Sequence, residues 1–387
     1  MQKIGFFSKK RPDGKLIWFN ASSIGESLSI LPIIKKINSD FPKCKILVTT
    51  STISSYKILQ KRSSEQFIHQ FTPLDIDFIA SKFYKYWSPN LVIFVESELW
   101  PNLIFRAKKN KIPSIVVNAR ISKNTYQKWK IIKKSAQKLL NCFNLFLVQD
   151  KETKNMLEKF NVKNIKDVGN LKFLSQKLPI NKNELLKFKK MISKRTVILL
   201  ASSHNGEEKL IIPKIRKLCD TFNDLLLIIV PRHINRTSEI QKYLHSKKIN
   251  YKVRSKKEII SKETFCYLAD TIGEISIFYS VSKIVMIGGS YVNHGGQNPI
   301  EASHFNCALI FGPFMQNFRK VSEDLLKNQA VIKTDSSCIE KIVRDLIINP
   351  KKMQKLARNL NDFCLNEKHK ANDIWNELNI VFKSHLK

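Results

Sequence analysis

Short apolar runs recur along the chain with the length of buried strands. They are Leu16–Phe19 (LIWF), Lys45–Thr50 (KILVTT), Leu91–Glu96 (LVIFVE), Ser114–Val117 (SIVV) and Leu145–Val148 (LFLV). Longer amphipathic stretches such as LPIIKKINSDF lie between most of them. A strand covered by helices on both faces carries an unbroken apolar run, so this pattern predicts a parallel sheet in an α/β domain. After Lys172 the chain turns polar through SQKLPINKNE, a candidate linker. A second series follows: Thr196–Ser202 (TVILLAS), Asp224–Val230 (DLLLIIV), Lys283–Ser290 (KIVMIGGS) and Ala308–Gly312 (ALIFG). The tail from Pro350 to Lys387 reads as basic helix. The expected architecture is α/β, with two Rossmann-like doubly wound domains, 1–174 and 175–387, facing a cleft. In such folds ligands bind beyond the carboxyl ends of the strands, so residues just after each strand become the candidates.

The stretch WFNASSIGES (Trp18–Ser27) is one of these. Two readings stay open for it. Ser22 or Ser23 caps a helix with Glu26 in its first turn, or Glu26 is a catalytic base at the mouth of a cleft. FVESELWPNLI places Glu96 and Glu98 at a strand end, where alternation points both to one face. Two carboxylates there need partners, so they serve acid/base or substrate-orienting chemistry, or form structural salt bridges. Lys172, in GNLKF, offers a cation near the domain junction. Six of the 11 glycines fall between Gly273 and Gly312. IGGSYVNHGGQNPIEAS there reads as a strand, a tight glycine loop and a helix with Pro299 near its start and Glu301 in its first turn. That arrangement suits a phosphate, or it is turns and caps only. Arg232 directly follows DLLLIIV, where a guanidinium can clamp a phosphate. No G-x-G-x-x-G follows the first strand and no Walker lysine is present, so neither a dinucleotide site nor a P-loop is indicated.

Composition changes the picture only in part. Lys and Arg number 67 against 32 acidic residues, a formal net charge of +35. Such an excess points to an anionic partner, although much of it is lysine in an Asn- and Ile-rich background. No RNP motif, zinc finger or basic recognition helix supports nucleic acid. The seven cysteines are scattered without a C-x-x-C pair and the histidines are dispersed, which argues against a disulfide framework or a metal site and fits a reducing cytosol. No apolar run is long enough to span a bilayer, so a soluble or peripheral protein is expected.

Taken together, WFNASSIGES, VESELWPN, NARIS, VGNLKF, ASSHNGEE, VPRH, DTIGE, IGGSYVNHGGQNPIEAS and FGPFMQNF resemble, in order, the motifs of the 3-deoxy-D-manno-octulosonic acid (Kdo) transferase family. The resemblance runs from about Lys15 to the C-terminal helices. It implies a GT-B type glycosyltransferase that moves Kdo from CMP-Kdo to the lipid A precursor during lipopolysaccharide assembly. It places the enzyme peripherally on the cytoplasmic side of the inner membrane, with no metal or other cofactor. The first domain would bind the acceptor and the second the CMP-sugar. The family's proposed base matches Glu26, and its transition-state stabilisers match Glu96 and Lys172. Its CMP contacts match Pro231, Arg232, Ile272, Gly273, Glu274, Asn298, Pro299, Ile300 and Glu301. The alternative is another sugar-nucleotide glycosyltransferase or an epimerase of the same fold, which fold alone does not separate. The chain departs from the family at Asn20 and Gln297, where histidine is usual. Both keep hydrogen bonding but cannot protonate near neutral pH. The family also normally begins with an apolar, basic segment that meets the membrane; this chain is expected to start beyond it, either because the start codon is internal or because the anchor is absent. The expected attachment is then through charge, at about 1 kcal/mol per basic residue near an anionic surface. Phe6 and Phe7, beside Lys3, Lys9 and Lys10, would add shallow insertion.

Overall fold

The computed structural model describes residues 2–63, 66–174, 178–193 and 195–386. The chain divides into two compact units, Met1–Gln176 with Asn366–Lys387, and Lys177–Leu365.

In the first unit the apolar runs become β1 (Leu16–Asn20), β2 (Lys45–Thr50), β4 (Leu91–Val95), β5 (Ser114–Ala119) and β6 (Leu145–Val148), joined by β3 (Ile68–Phe71) and β7 (Ile165–Asp167). Among the described residues they form one parallel sheet in the order β3-β2-β1-β4-β5-β6-β7. Alternate residues of β1 face opposite cores. Trp18 packs with Phe83, Trp87 and Phe94, whereas Ile17 and Phe19 pack with Ile34, Ile37 and Ile93. Both faces are thus covered, as unbroken apolar strands require. The chain leaves β1 toward β2 and β3 and returns at β4, so the direction of winding switches between β1 and β4.

The second unit contains β8 (Thr196–Ser203), β9 (Leu225–Pro231), β10 (Tyr251–Val253), β11 (Cys266–Leu268), β12 (Ile284–Ile287), β13 (Ala308–Phe311) and β14 (Ile332–Lys333). Their parallel order is β10-β11-β9-β8-β12-β13-β14, with the switch between β8 and β12. Ile198, Leu200, Leu227, Ile229 and Met286 lie in its core.

Two expectations about the domains change. The predicted boundary at 174/175 falls at residues 175–177, which lie outside the described residues. Within the predicted linker, Asn181 already caps the helix Lys182–Ile192. The second domain is also expected to run to residue 387, but the last helix, Pro350–Leu386, is shared. Its final part turns Ala371, Ile374, Leu378 and Phe382 onto the core of Ile17 and Phe19, and burial of those side chains assigns it to the first unit. Among the described residues no helix is long and apolar enough to cross a membrane.

Candidate active site

In the first unit, Glu26 sits just beyond β1, beside the switch point. Ser23 caps the helix Ile24–Ser29, its hydroxyl accepting from the Glu26 amide at 3.2 Å and donating to Glu26 Oε1 at 2.9 Å. The Ser22 amide donates to Oε2 at 2.8 Å. This is close to a capping box, so the ordinary reading of the stretch is realised. It is also chemically unusual, because Glu26 is 7% exposed. Burial, and then the charges of Glu96 and Glu98, push its carboxyl pKa up to about 7, against the opposing bonds from Ser23 and Ser22. A carboxyl so placed can exchange its proton near neutral pH.

Glu96 and Glu98 follow β4 but not by strand alternation. The strand ends at Val95 and Glu96 takes a left-handed φ of 57°, which breaks the two-residue period the sequence suggested. Glu96 Oε1 meets the Lys172 ammonium at 3.1 Å and the Asn118 amide at 3.2 Å. Glu98 Oε2 accepts from the Ser22 hydroxyl at 2.5 Å and the Trp100 indole at 2.7 Å. Ser22 therefore links two carboxylates, its amide on Glu26 and its hydroxyl on Glu98.

Lys172 is placed by buried amides that the sequence reading did not single out. Asn118, at φ 57°, accepts from the Leu171 amide at 2.9 Å, and its own carbonyl accepts from Gln149 at 2.9 Å. Gln149 accepts from Asn170 at 3.1 Å, whose side-chain oxygen takes the Lys172 amide at 2.9 Å. A satisfied network of this kind fixes the short 3-10 turn Leu171–Leu174.

In the second unit the nucleotide residues implied by the resemblance lie at or beyond the ends of β9, β11 and β12. Pro231 ends β9 and Arg232 is exposed beyond it, its amide bonded to the Ser203 carbonyl at 3.0 Å. Ile272 and Gly273 (φ 89°) follow β11, with Ile272 75% exposed. Glu274 is held by Arg254 at 2.6 and 3.1 Å, and that guanidinium keeps its carboxyl below the usual range. Asn298 accepts from the Ile300 amide at 3.1 Å and lies 3.5 Å from Glu301 Oε1. The expected helix after the glycine loop is a 3-10 turn, Ile300–His304, with Pro299 at its cap and Ile300 buried. Phe305 ends it in extended backbone, so no long dipole develops there.

The glycine loop is fixed by a residue that the sequence reading quoted but gave no role. Glu207, fully buried, accepts from the amides of His204 (2.8 Å), Gly289 (2.7 Å) and Tyr291 (2.9 Å). Burial raises its pKa while those N–H bonds hold it down. Gly288 is required by contact: a Cβ there would lie 2.2 Å from the Ser202 carbonyl oxygen. Beside it, Glu208 pairs with Arg236 at 2.9 and 3.0 Å and accepts from the Ser203 hydroxyl at 2.6 Å. A signal for Glu207 exists in the sequence: Gly206-Glu207 follows β8 as Gly25-Glu26 follows β1.

Residues 1–175 match the family described as 3-Deoxy-D-manno-octulosonic-acid transferase (kdotransferase). A 3-deoxy-D-manno-octulosonic acid transferase of Rickettsia felis is 38% identical over 321 residues, 82% of this chain and 68% of the relative. The chain belongs to the Kdo transferase family. The enzyme of that name from Haemophilus influenzae is 30% identical over 373 residues, 92% of this chain and 85% of its own. The fold is that of GT-B glycosyltransferases and the related epimerases. A solved UDP-N-acetylglucosamine 2-epimerase superposes with a TM-score of 0.64 over 98% of each chain at 14% identity, which is likeness of fold alone.

At the two positions where the resemblance leads one to expect histidine, Asn20 and Gln297 each make side-chain hydrogen bonds. Asn20 is fully buried; its Oδ1 accepts from the Thr49 and Thr72 hydroxyls at 2.9 and 3.1 Å, while its Nδ2 is buried without a hydrogen-bond partner among the described residues. Gln297 meets His204 Nε2 at 2.9 Å.

Proposed function

We propose that the chain transfers Kdo from CMP-Kdo to the lipid A precursor in lipopolysaccharide biosynthesis, at the cytoplasmic face of the inner membrane. The observation that carries this reading is Glu26, a buried carboxylate beyond β1 with its pKa lifted to about 7. It takes the proton of the acceptor hydroxyl as that oxygen attacks the anomeric carbon of Kdo. The bond from that carbon to the CMP phosphate oxygen breaks, and CMP leaves with the electron pair. Lys172, steadied by Glu96, offsets developing negative charge, and Glu96 supports the cationic character of the sugar. Arg232 holds phosphate, Glu301 accepts from ribose hydroxyls, and the Gly273 and Asn298 segments complete the CMP contacts. No step is routed through a metal. Mass spectrometry of products from CMP-Kdo and the tetraacyl precursor tests the reading, and absence of a Kdo-bearing product refutes it.

Nucleotide binding has its own expected result. Arg232→Ala and Glu301→Ala should each weaken CMP by roughly 1.5–3 kcal/mol, the value of a charge-assisted hydrogen bond. Calorimetry measures it; unchanged affinity in both variants would put the nucleotide elsewhere.

Attachment to anionic lipid follows from charge and exposed apolar tips. Ile131 (86% exposed), which ends the helix Lys123–Ile131, and Ile132 (54%), which joins it to the helix Lys133–Leu140, stand among Lys128, Lys130, Lys133 and Lys134. Phe6 is 54% exposed, but Phe7 stacks on Tyr86 at 4.1 Å and packs against Phe83, so only the first of that expected pair is available to lipid. Binding to anionic vesicles should be strong at 0.1 M salt and fall sharply at 1 M, where the Debye length shortens from about 10 Å to about 3 Å. Co-sedimentation at both salt levels decides; no binding at low salt removes the surface from the reading.

A further inference from the structure

His204 follows β8 directly, at the switch point between β8 and β12, and its ring is held on three sides. A Cβ at Gly289 would come within 3.0 Å of its Cδ2, so the glycine backbone forms one wall. The His294 ring lies over it with centroids 3.7 Å apart. On the third side its Nε2 meets the Gln297 side-chain nitrogen at 2.9 Å. An amide NH2 only donates, so Nε2 accepts and the neutral ring carries its proton on Nδ1. Burial first, then His294, His233, Arg232 and Arg236, hold the pKa at about 4, which keeps the ring neutral at physiological pH. Nδ1 has no hydrogen-bond partner among the described residues, yet it is not among the fully enclosed atoms left unpaired. Cationic Arg232 and the His233 ring follow β9, the His233 centroid 6.0 Å from that of His204. Arg236 is already engaged by Glu208. An open N–H donor among such groups suits an anionic oxygen.

We propose that His204 binds the sugar-nucleotide donor, its neutral imidazole donating Nδ1–H to an anionic oxygen, phosphate or sugar carboxylate, while Gln297 fixes the tautomer. This rests on the reading that the second unit holds the donor. The discriminating variants are His204→Asn, whose amide nitrogen falls near Nδ1, and His204→Gln, whose amide falls near Nε2. His204→Gln and His204→Ala should weaken donor binding about 10-fold or more, the range of a hydrogen bond to a charged group, while His204→Asn stays within about threefold. Loss with CMP alone identifies the phosphate. Intact CMP affinity with a raised KM for CMP-Kdo identifies the sugar carboxylate. Equal behaviour of the Asn and Gln variants toward both ligands overturns the proposal. Nitrogen NMR of the unsubstituted protein gives an arm free of folding defects: His204 should show the Nδ1–H tautomer and shift on addition of CMP, and an Nε2–H tautomer overturns the proposal. If Arg232→Ala loses CMP while the His204 variants change neither CMP affinity nor the KM for CMP-Kdo, only this inference fails. If the unsubstituted protein does not bind CMP, the reading beneath it fails.

Discussion

Glu26→Gln should lose transfer by about 10²- to 10⁴-fold, the usual loss of a general base, while CMP affinity stays near normal. Two independent measurements accompany it. In the unsubstituted enzyme the rate should rise with pH through about 7, because the base works only when deprotonated and burial has lifted its pKa to that value. Stability should run the other way. The pKa moves from the ordinary carboxyl value of 4.5 to about 7 in the fold, so the folded state holds the proton more tightly. Its contribution is complete below about 4.5 and is lost as pH rises through 7, amounting to roughly 3 kcal/mol at about 1.4 kcal/mol per unit. Gln stays neutral and still suits the third helical position of a capping box. The variant should therefore melt above the unsubstituted protein at pH 8 and converge with it near pH 4. Near-normal turnover would falsify the base assignment, and a melting difference independent of pH would detach the shifted pKa from Glu26.

Glu207→Ala should be the most damaging single change in the second unit. It leaves three amides, on His204, Gly289 and Tyr291, without their acceptor, in a place where Glu207 itself has no exposed surface. Each buried donor left unpaired costs about 1–3 kcal/mol, so a loss of at least about 3 kcal/mol is expected. For a unit of this size that corresponds to a fall in melting temperature of roughly 10 °C. CMP binding should fail with it, since the released loop leads into Asn298 and Glu301. Calorimetric melting with and without CMP tests both; unchanged melting would mean that the loop is held by other bonds.

The centre of each sheet was legible because burial on both faces leaves an unmistakable mark, as in LIWF and DLLLIIV. The margins were not. IHQF, IKD, YKV, CYL and IK are two to four residues long and most carry a polar or charged residue. They are strands because a neighbouring strand offers hydrogen bonds, which no local pattern reveals. Glu26 shows why a motif can support two readings at once: the capping geometry is what buries the carboxylate and raises its pKa. Glu96 shows the opposite case, where one left-handed residue undid an argument from alternation. The amides behind Lys172 were invisible for a further reason. Asn118, Gln149 and Asn170 are separated by 31 and 21 residues, and an isolated Asn or Gln signals nothing until its partner is in place.

The helix Pro350–Leu386 sets a timetable for biosynthesis. Ile17 and Phe19 emerge from the ribosome about 350 residues ahead of the side chains that cover them, Ala371 to Phe382. At about 5–20 residues per second, that face of the nascent sheet waits roughly 20–70 s for its cover. During that interval it is an uncovered apolar surface, prone to aggregation. A stop codon introduced before Ala371 would therefore leave the Ile17 and Phe19 face uncovered, far upstream of the lesion.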